Sequence, residues 1–139
     1  MLGIKSIMTK EVIAITKDCP IYKAIEILLT NQITGMPVVE DNMHLLGILT
    51  EKDLLRVLYD SKCTSISDLM TKEIVTFDEN DDLVDLVKCL IEKNFRRIPI
   101  TSKGKVVGIV SRTDIIRCIL LKKAKEQKQG KSAHKMLQG

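Results

Sequence analysis

Two short stretches of the sequence combine a glycine, a hydroxyl residue and an aspartate at the same spacing. They read GILTEKD at 47–53 and GIVSRTD at 108–114, and in each an apolar run stops at the hydroxyl residue. A hydroxyl residue that starts a helix leaves an N-terminus that attracts anions. A carboxylate beside it can bind the hydroxyls of a ribose, so this chemistry suits a phosphorylated riboside. The four polar residues concerned are Thr50, Asp53, Ser111 and Asp114.

The same residues also have a purely structural interpretation. A Ser or Thr that caps a helix and an acidic residue three positions later form a capping box, which needs no ligand. Gly47 and Gly108 favour more than a cap, because a glycine within a strand often marks a close approach to its backbone. On the residues alone, both interpretations stay open.

The surrounding residues predict the elements that position these stretches. Apolar residues recur at helical spacing from Ile21 and again from Leu83, which predicts one helix in each half. Short β-type runs precede and follow these helices, and a last helix begins at Glu51 and at Arg112. Each half therefore reads β-α-β-β-α. This order predicts an α+β fold of two repeats about a pseudo-twofold axis, each with its own small sheet. The predicted strands are 12–15, 36–39, 45–49, 74–77, 97–100 and 105–110.

The two halves also share local sequence. MTKE occurs at both 8–11 and 70–73, and the strand after each first helix contains a proline, Pro37 or Pro99. We therefore predict a first repeat, a second repeat and a basic helical extension with a tail. These segments are 1–60, 61–121 and 122–139.

These pieces, in the same order twice, resemble a tandem pair of CBS domains (named after cystathionine β-synthase) over about residues 5–120. The matching pieces are the MT starts, the proline strands and the glycine-hydroxyl-aspartate endings. The resemblance implies a non-enzymatic regulatory module that often forms a homodimer. It also implies that the clefts between the repeats bind an adenine nucleotide such as AMP, ADP or ATP, or S-adenosylmethionine.

The resemblance further implies roles for individual residues. The two aspartates would hold ribose hydroxyls, and the two hydroxyl residues before them would contact ribose or phosphate. The first strand of each repeat would flank the base, and the proline strands complete the candidate site. The base-flanking candidates are Ile13, Ala14, Val75 and Thr76, and the two prolines are Pro37 and Pro99.

The two repeats differ just before the proline strand. The resemblance implies a basic or polar pair there that reaches phosphate, and the second repeat has Arg96 and Arg97 where the first has Thr34 and Gly35. A guanidinium group matches the geometry of phosphate oxygens. We predict unequal clefts, with the tighter phosphate grip near Arg96, Arg97 and Ser111. The alternative is that the arginines form a solvated strand edge that discourages aggregation.

The composition argues against several other functions. Apolar residues make up 45% of the chain but aromatic residues only 3%, which predicts an aliphatic core. No apolar run reaches the ~18 residues that a membrane span needs, and the N-terminus lacks a secretory signal. We therefore expect a cytoplasmic protein without membrane contact. The four cysteines form no C-x-x-C pair and neither histidine has an obvious partner, so we expect no metal, no catalytic cofactor and no catalytic residue.

The net charge of +4 is carried by the tail, since residues 122–139 hold six lysines and one glutamate. A basic tail can contact nucleic acid, but a solvated chain end is the commoner case, so we do not expect a nucleic-acid partner. The last helix of each repeat carries more apolar residues than a small sheet can cover, which predicts a homodimer. The leading function is nucleotide sensing by a stand-alone pair. The alternative is a structural homodimerisation or adaptor module without ligand.

Overall fold

The computed structural model describes residues 2–138, with side chains as far as residue 128. The predicted order β-α-β-β-α is confirmed in both halves, and a short helix precedes each. The first half consists of α1 (Ile4–Ile7), β1 (Ile15–Thr16), α2 (Ile21–Asn31), β2 (Gly35–Glu40), β3 (His44–Thr50), α3 (Glu51–Leu54) and a 3₁₀ turn (Leu55–Leu58). The second half consists of α4 (Ile66–Leu69), β4 (Phe77–Asp78), α5 (Leu83–Glu92), β5 (Arg97–Ser102), β6 (Lys105–Ser111) and α6 (Arg112–Gln138). Gly139 and the side chains of Lys131 and Lys135 in the predicted basic tail lie outside the described residues.

The two long helices that cover the sheet begin at residues suited to a helix start. Pro20 precedes α2 with a φ of −59°, and a helix start needs no partner for the N–H group that proline lacks. The Asp82 carboxylate accepts a 2.7 Å hydrogen bond from the backbone N–H of Val84 and so caps α5. Each helix then buries one apolar face, through Ala24 and Leu28 in α2 and Leu86 and Leu90 in α5.

The strands form one six-stranded sheet in the order β1-β2-β3-β6-β5-β4. Within each half the hairpin is antiparallel and the short first strand pairs in parallel with the proline strand. The halves meet where His44 of β3 pairs with Lys105 of β6. Two separate sheets were predicted, and this prediction is wrong because the single bridge joins them into a continuous sheet.

The first strand of each half is shorter and later than predicted. β1 and β4 each contain only one residue of the predicted runs 12–15 and 74–77. β1 pairs with β2 at Val38 and Val39 alone, so the outer edge of β2 has no strand partner at Pro37. Because proline has no N–H group to donate there, this unpaired position tolerates it without losing a ladder hydrogen bond.

The short helices α1 and α4 are exchanged between the halves, since each packs in the core of the half to which it does not belong in sequence. Ile4 of α1 is 1% exposed and packs with the core of the second half around Leu86 and Ile98. Ile66 of α4 is fully buried in the core of the first half, which surrounds Met36. Each half of the sequence thus supplies a buried helix to the other half, so the packing units do not follow the division of the sequence at residue 60.

The chain after each exchanged helix crosses a strand of the opposite half at a glycine. Thr9 and Ile109 exchange backbone hydrogen bonds of 2.8 and 3.0 Å, and Thr71 and Ile48 exchange bonds of 2.8 and 2.9 Å. A Cβ atom on Gly47 would lie 2.9 Å from the carbonyl oxygen of Thr71. The close approach predicted at the strand glycines is therefore made by the protein's own MT segments.

Candidate functional site

Two clefts of about 560 and 550 Å³ lie between the halves, within the size range of small-molecule sites. The Ser111 cleft combines the start of α6 with the segment before β1, including Val12 and Ile13. The Thr50 cleft combines the start of α3 with the segment before β4, including Ile74 and Val75. Each cleft therefore takes a helix start from one half and an apolar wall from the other.

The Ser111 cleft contains a complete capping box. The Ser111 hydroxyl accepts a 3.2 Å hydrogen bond from the Asp114 N–H, and Ser111 N–H donates 2.8 Å to Asp114 Oδ2. Thr9 Oγ1 and Arg117 Nη1 donate to the other carboxylate oxygen, Oδ1, at 3.2 and 3.3 Å. Asp114 is only 7% exposed. This carboxylate thus stands at a helix start with one oxygen held by the cap and the other held by a hydroxyl and a guanidinium group.

The helix start beside the Thr50 cleft repeats the capping box around Asp53, whose carboxylate has fewer partners than that of Asp114. Thr50 N–H donates 2.9 Å to Asp53 Oδ2, and Thr50 Oγ1 accepts 3.2 Å from the Asp53 N–H. Thr71 Oγ1 donates to Asp53 Oδ1 at 3.3 Å. Asp53 is half-buried and has no counterpart of Arg117 among the hydrogen bonds of the described side chains. Both stretches therefore form the capping boxes that the structural interpretation predicts. A ribose that binds Asp114 or Asp53 must share the carboxylate with the hydroxyl of Thr9 or Thr71, or displace that hydroxyl.

Thr9 and Thr71 are site residues that the sequence reasoning missed. They occupy the same place in the repeated MTKE segment, and each donates to the aspartate of the opposite half. The repetition of MTKE was the available signal, because a hydroxyl residue at the same point in both copies indicates a shared contact.

Arg96 and Arg97 line both clefts, together with Thr34. The exposed Arg96 forms an ion pair with Glu51 at 3.6 Å, on the side of the Thr50 cleft. Arg97 Nη2 donates a hydrogen bond to Thr34 Oγ1. Burial lowers the pKa of the Arg97 guanidinium and the neighbouring Arg96 charge lowers it further, while Glu51 opposes both effects. The group nevertheless stays protonated at physiological pH, since arginine does not deprotonate in proteins.

The remaining candidates divide into cleft and core residues. Ile13 and Val75 each line one cleft. Among the described residues that line the clefts, Asp53, Ala14 and Thr76 do not occur, and Asp53 lies behind the helix start where Thr50 lines the cleft. Pro37 and Pro99 are fully buried, and they pair across their hairpins with Ile48 and Ile109.

The described part of the chain places no cluster of three His, Cys, Asp or Glu side chains that could hold a metal ion. None of its helices combines the length and the apolar character that crossing a membrane requires.

The fold and its paired clefts define the class of protein as a tandem repeat module with two clefts between its halves. Residues 4–60 and 66–121 each match the CBS domain. The chain therefore belongs to the CBS domain family.

Solved structures of such pairs are similar to this chain over most of its length. One is CBSX2 in complex with AMP, at 27% identity with a TM-score of 0.81, covering 88% of this chain and 99% of that one. Another is the CBS domain pair of protein MJ0100 in complex with 5-methylthioadenosine and S-adenosyl-L-methionine, at 28% identity with a TM-score of 0.77. That match covers 88% of this chain and 98% of that one.

A curated relative is inosine-5'-monophosphate dehydrogenase from Thermoplasma acidophilum, which is 34% identical over 113 residues. The match covers 81% of this chain but 22% of the enzyme. The chain likewise spans 42% and 55% of the length of two other curated relatives that it matches.

Proposed function

We propose that the chain is a non-enzymatic regulatory module that binds an adenine nucleotide, or a related adenosyl ligand, in the clefts between its repeats. One observation carries the proposal: each cleft joins the hydroxyl residue of a capped helix start to arginine side chains and an apolar wall, and Asp114 also lines the Ser111 cleft. These are the groups that a ribose, a phosphate and a base require. The similar pairs crystallised with AMP and with S-adenosyl-L-methionine support the choice of an adenosyl ligand.

Within this proposal Asp114 and Asp53 bind ribose hydroxyls, and Ser111 and Thr50 orient the helix start toward ribose or phosphate. Arg97 and Arg96 supply positive charge for phosphate. Ile13 and Val75 pack against the base of a ligand in their respective clefts. The two sites remain unequal, since Asp114 is more deeply buried than Asp53.

A thermal-shift screen with AMP, ADP, ATP, S-adenosylmethionine, NAD and GTP tests the proposal. A ligand that binds only the folded chain stabilises it by about 2.7 kcal/mol at a hundredfold excess over Kd. We expect an adenosyl compound to raise the melting temperature and GTP to do so less. If none of the adenosyl compounds raises it, the proposed function is wrong.

The chain offers a matched control for the role of the aspartates. Asp68 forms the same kind of capping box with Ser65 at the start of α4, which lies outside both clefts. Asp114→Asn is expected to reduce the ligand-induced shift strongly and Asp53→Asn to reduce it less. Asp68→Asn is expected to leave the shift unchanged, although it also removes a carboxylate from a capping box.

We also infer that the module forms a homodimer through the helices that end each repeat. Leu58 is 90% exposed, Tyr59 is 77% exposed and Leu120 is 67% exposed. Exposed large apolar residues at the end of both repeats are of the kind that marks an interaction surface. Light scattering after size-exclusion is expected to give twice the chain mass. Leu120→Asp should shift the mass toward one chain, whereas Gln127→Asp adds the same charge farther along α6 and should not.

A structural adaptor without ligand is the second candidate function. The observation that favours it is that both aspartates already satisfy a helix cap and a threonine hydroxyl. The two functions differ in the screen above, because an adaptor predicts a dimer that no adenosyl compound stabilises.

A further inference from the structure

The two clefts have a common wall. Their lining residues coincide at three positions, Thr34, Arg96 and Arg97. Building on the proposed function, we infer that Arg97 is a single phosphate-binding group shared by the two clefts. Two phosphorylated ligands therefore compete for it, and binding of the first weakens binding of the second. The unequal contributions of the two arginines carry this inference.

Arg96 is a solvated side chain that already has a carboxylate partner. Its side chain is 65% exposed and that of Glu51 is 63% exposed, with 3.6 Å between their charged atoms. Such exposed pairs contribute little and rearrange easily. Arg96 can therefore turn toward solvent or toward either cleft without leaving a buried charge unpaired.

Arg97 is different because its charge is half-buried and its partner is neutral. Its hydrogen bond goes to the hydroxyl of Thr34. Within the described side chains, no carboxylate lies within ion-pair distance of Arg97. A partly desolvated guanidinium with a neutral partner gains from an anion, since a charged hydrogen bond offsets the loss of water. Arg97 is thus the phosphate-binding group that the two clefts share.

The backbone around Arg97 connects the two helix starts. Arg97 pairs with Ser111 across the β5–β6 hairpin, at the start of α6 in the Ser111 cleft. Its side chain reaches Thr34, whose carbonyl oxygen accepts a 2.9 Å hydrogen bond from the N–H of Glu51, the first residue of α3. One side chain therefore extends from the helix start of one cleft toward that of the other. Its guanidinium carries a single positive charge, which a phosphate bound in either cleft would neutralise.

Negative coupling follows from this arrangement. When a phosphate in one cleft binds the guanidinium of Arg97, a second phosphate finds that charge neutralised and meets the first phosphate across the shared wall. A ligand without phosphate meets neither effect. Coupling between two sites is commonly about 5–150-fold in affinity. We expect the second AMP to bind at least about fivefold more weakly than its cleft would allow alone, and two adenosine molecules to bind independently.

Calorimetric titration of the full chain separates coupling from a simple difference between the clefts. Asp114→Asn and Asp53→Asn each disable one cleft, so the two variants report the AMP affinity of the other cleft alone. If the guanidinium is shared, the wild-type AMP isotherm should fall short of the sum of the two single-cleft isotherms. The second AMP should then bind the wild-type chain at least about fivefold more weakly than AMP binds the single-cleft variant of lower affinity. Adenosine is expected to give a wild-type isotherm equal to that sum.

Two arginine substitutions complete the experiment. Arg97→Gln, or Arg97→Met if the first variant does not fold, should weaken AMP binding and abolish the coupling. Arg96→Gln is the matched control and should retain the coupling. The inference is overturned if the wild-type AMP isotherm equals the sum of the single-cleft isotherms, or if only one single-cleft variant binds AMP. If neither AMP nor adenosine binds the wild-type chain, the proposed function fails and this inference falls with it.

Discussion

Replacement of Gly47 by alanine is expected to destabilise the fold more than the same change at Gly108. The added Cβ at Gly47 would lie 2.8 Å from Met70 Sδ and 2.9 Å from the carbonyl oxygen of Thr71. The oxygen belongs to backbone that is held by two hydrogen bonds to Ile48, so it cannot move aside alone. Overpacking of this kind costs about 1–3 kcal/mol.

At Gly108 the closest contacts fall on a flexible side chain instead. The added Cβ would lie 2.5 Å from Met8 Sδ and 2.8 Å from Met8 Cγ, while the carbonyl oxygen of Thr9 is 3.1 Å away. Met8 can turn its sulfur away at little cost. We therefore expect Gly108→Ala to cost less than about 1 kcal/mol, the lower end of the overpacking range.

Thermal and urea unfolding followed by circular dichroism measure the difference. A change of 1 kcal/mol corresponds to roughly 3–4 °C in melting temperature for a chain of this size. Met8→Ala should remove the part of the cost of Gly108→Ala that comes from the Met8 side chain. Met70→Ala should not rescue Gly47→Ala, because the Thr71 oxygen remains in place. Equal costs at the two glycines, or full rescue at both, would refute the reasoning. Gly3→Ala is the control, since nothing lies within 4 Å of its added Cβ.

Three further predictions follow from the charges and the core. Glu51→Gln releases Arg96 from its ion pair, so AMP should bind up to about fivefold more tightly in calorimetry at low salt. Hydrogen bonds from Thr64 and Ser65 lower the pKa of Asp68. The ionised carboxylate therefore stabilises the fold at pH values above about 3.9, its pKa in the unfolded chain, and this stabilisation is lost as the pH falls from there through the lower pKa of the folded chain. Asp68→Asn should therefore flatten the acid limb of unfolding free energy against pH. Ile4→Ala should cost about 2–5 kcal/mol by urea unfolding, because this side chain is 1% exposed.

The order of the elements could be predicted because each copy supplies the same evidence independently. The apolar spacing of α2 and α5 comes from burial of one helix face against the sheet, which any sequence with that face displays. The limits of β1 could not be predicted in the same way. The run at 12–15 is apolar for two reasons, since Ile13 lines a cleft while Ile15 pairs with β2. Hydrophobicity alone does not distinguish these two roles.

The exchange of the short helices and the position of the arginines could not be predicted from the sequence, for a related reason. α1 and α4 have four residues each, which is about one helical turn and too short to show a period. Their burial depends on a partner from the other half of the chain. The direction of the Arg97 side chain likewise depends on Thr34, which lies 63 residues away in sequence. Local patterns contain no information about such long-range contacts.

The exchange of α1 and α4 makes the two halves complementary fragments joined by a tether. A chain cut after residue 60, in the connector between the 3₁₀ turn and α4, would yield one piece that lacks the helix of Ile66 and one that lacks the helix of Ile4. Each piece alone would leave an apolar gap open to water, whereas the two together restore both cores. We expect separately tagged fragments to co-purify in equal amounts and to remain unfolded when expressed singly. The connector would then act by keeping the local concentration of each fragment high for the other.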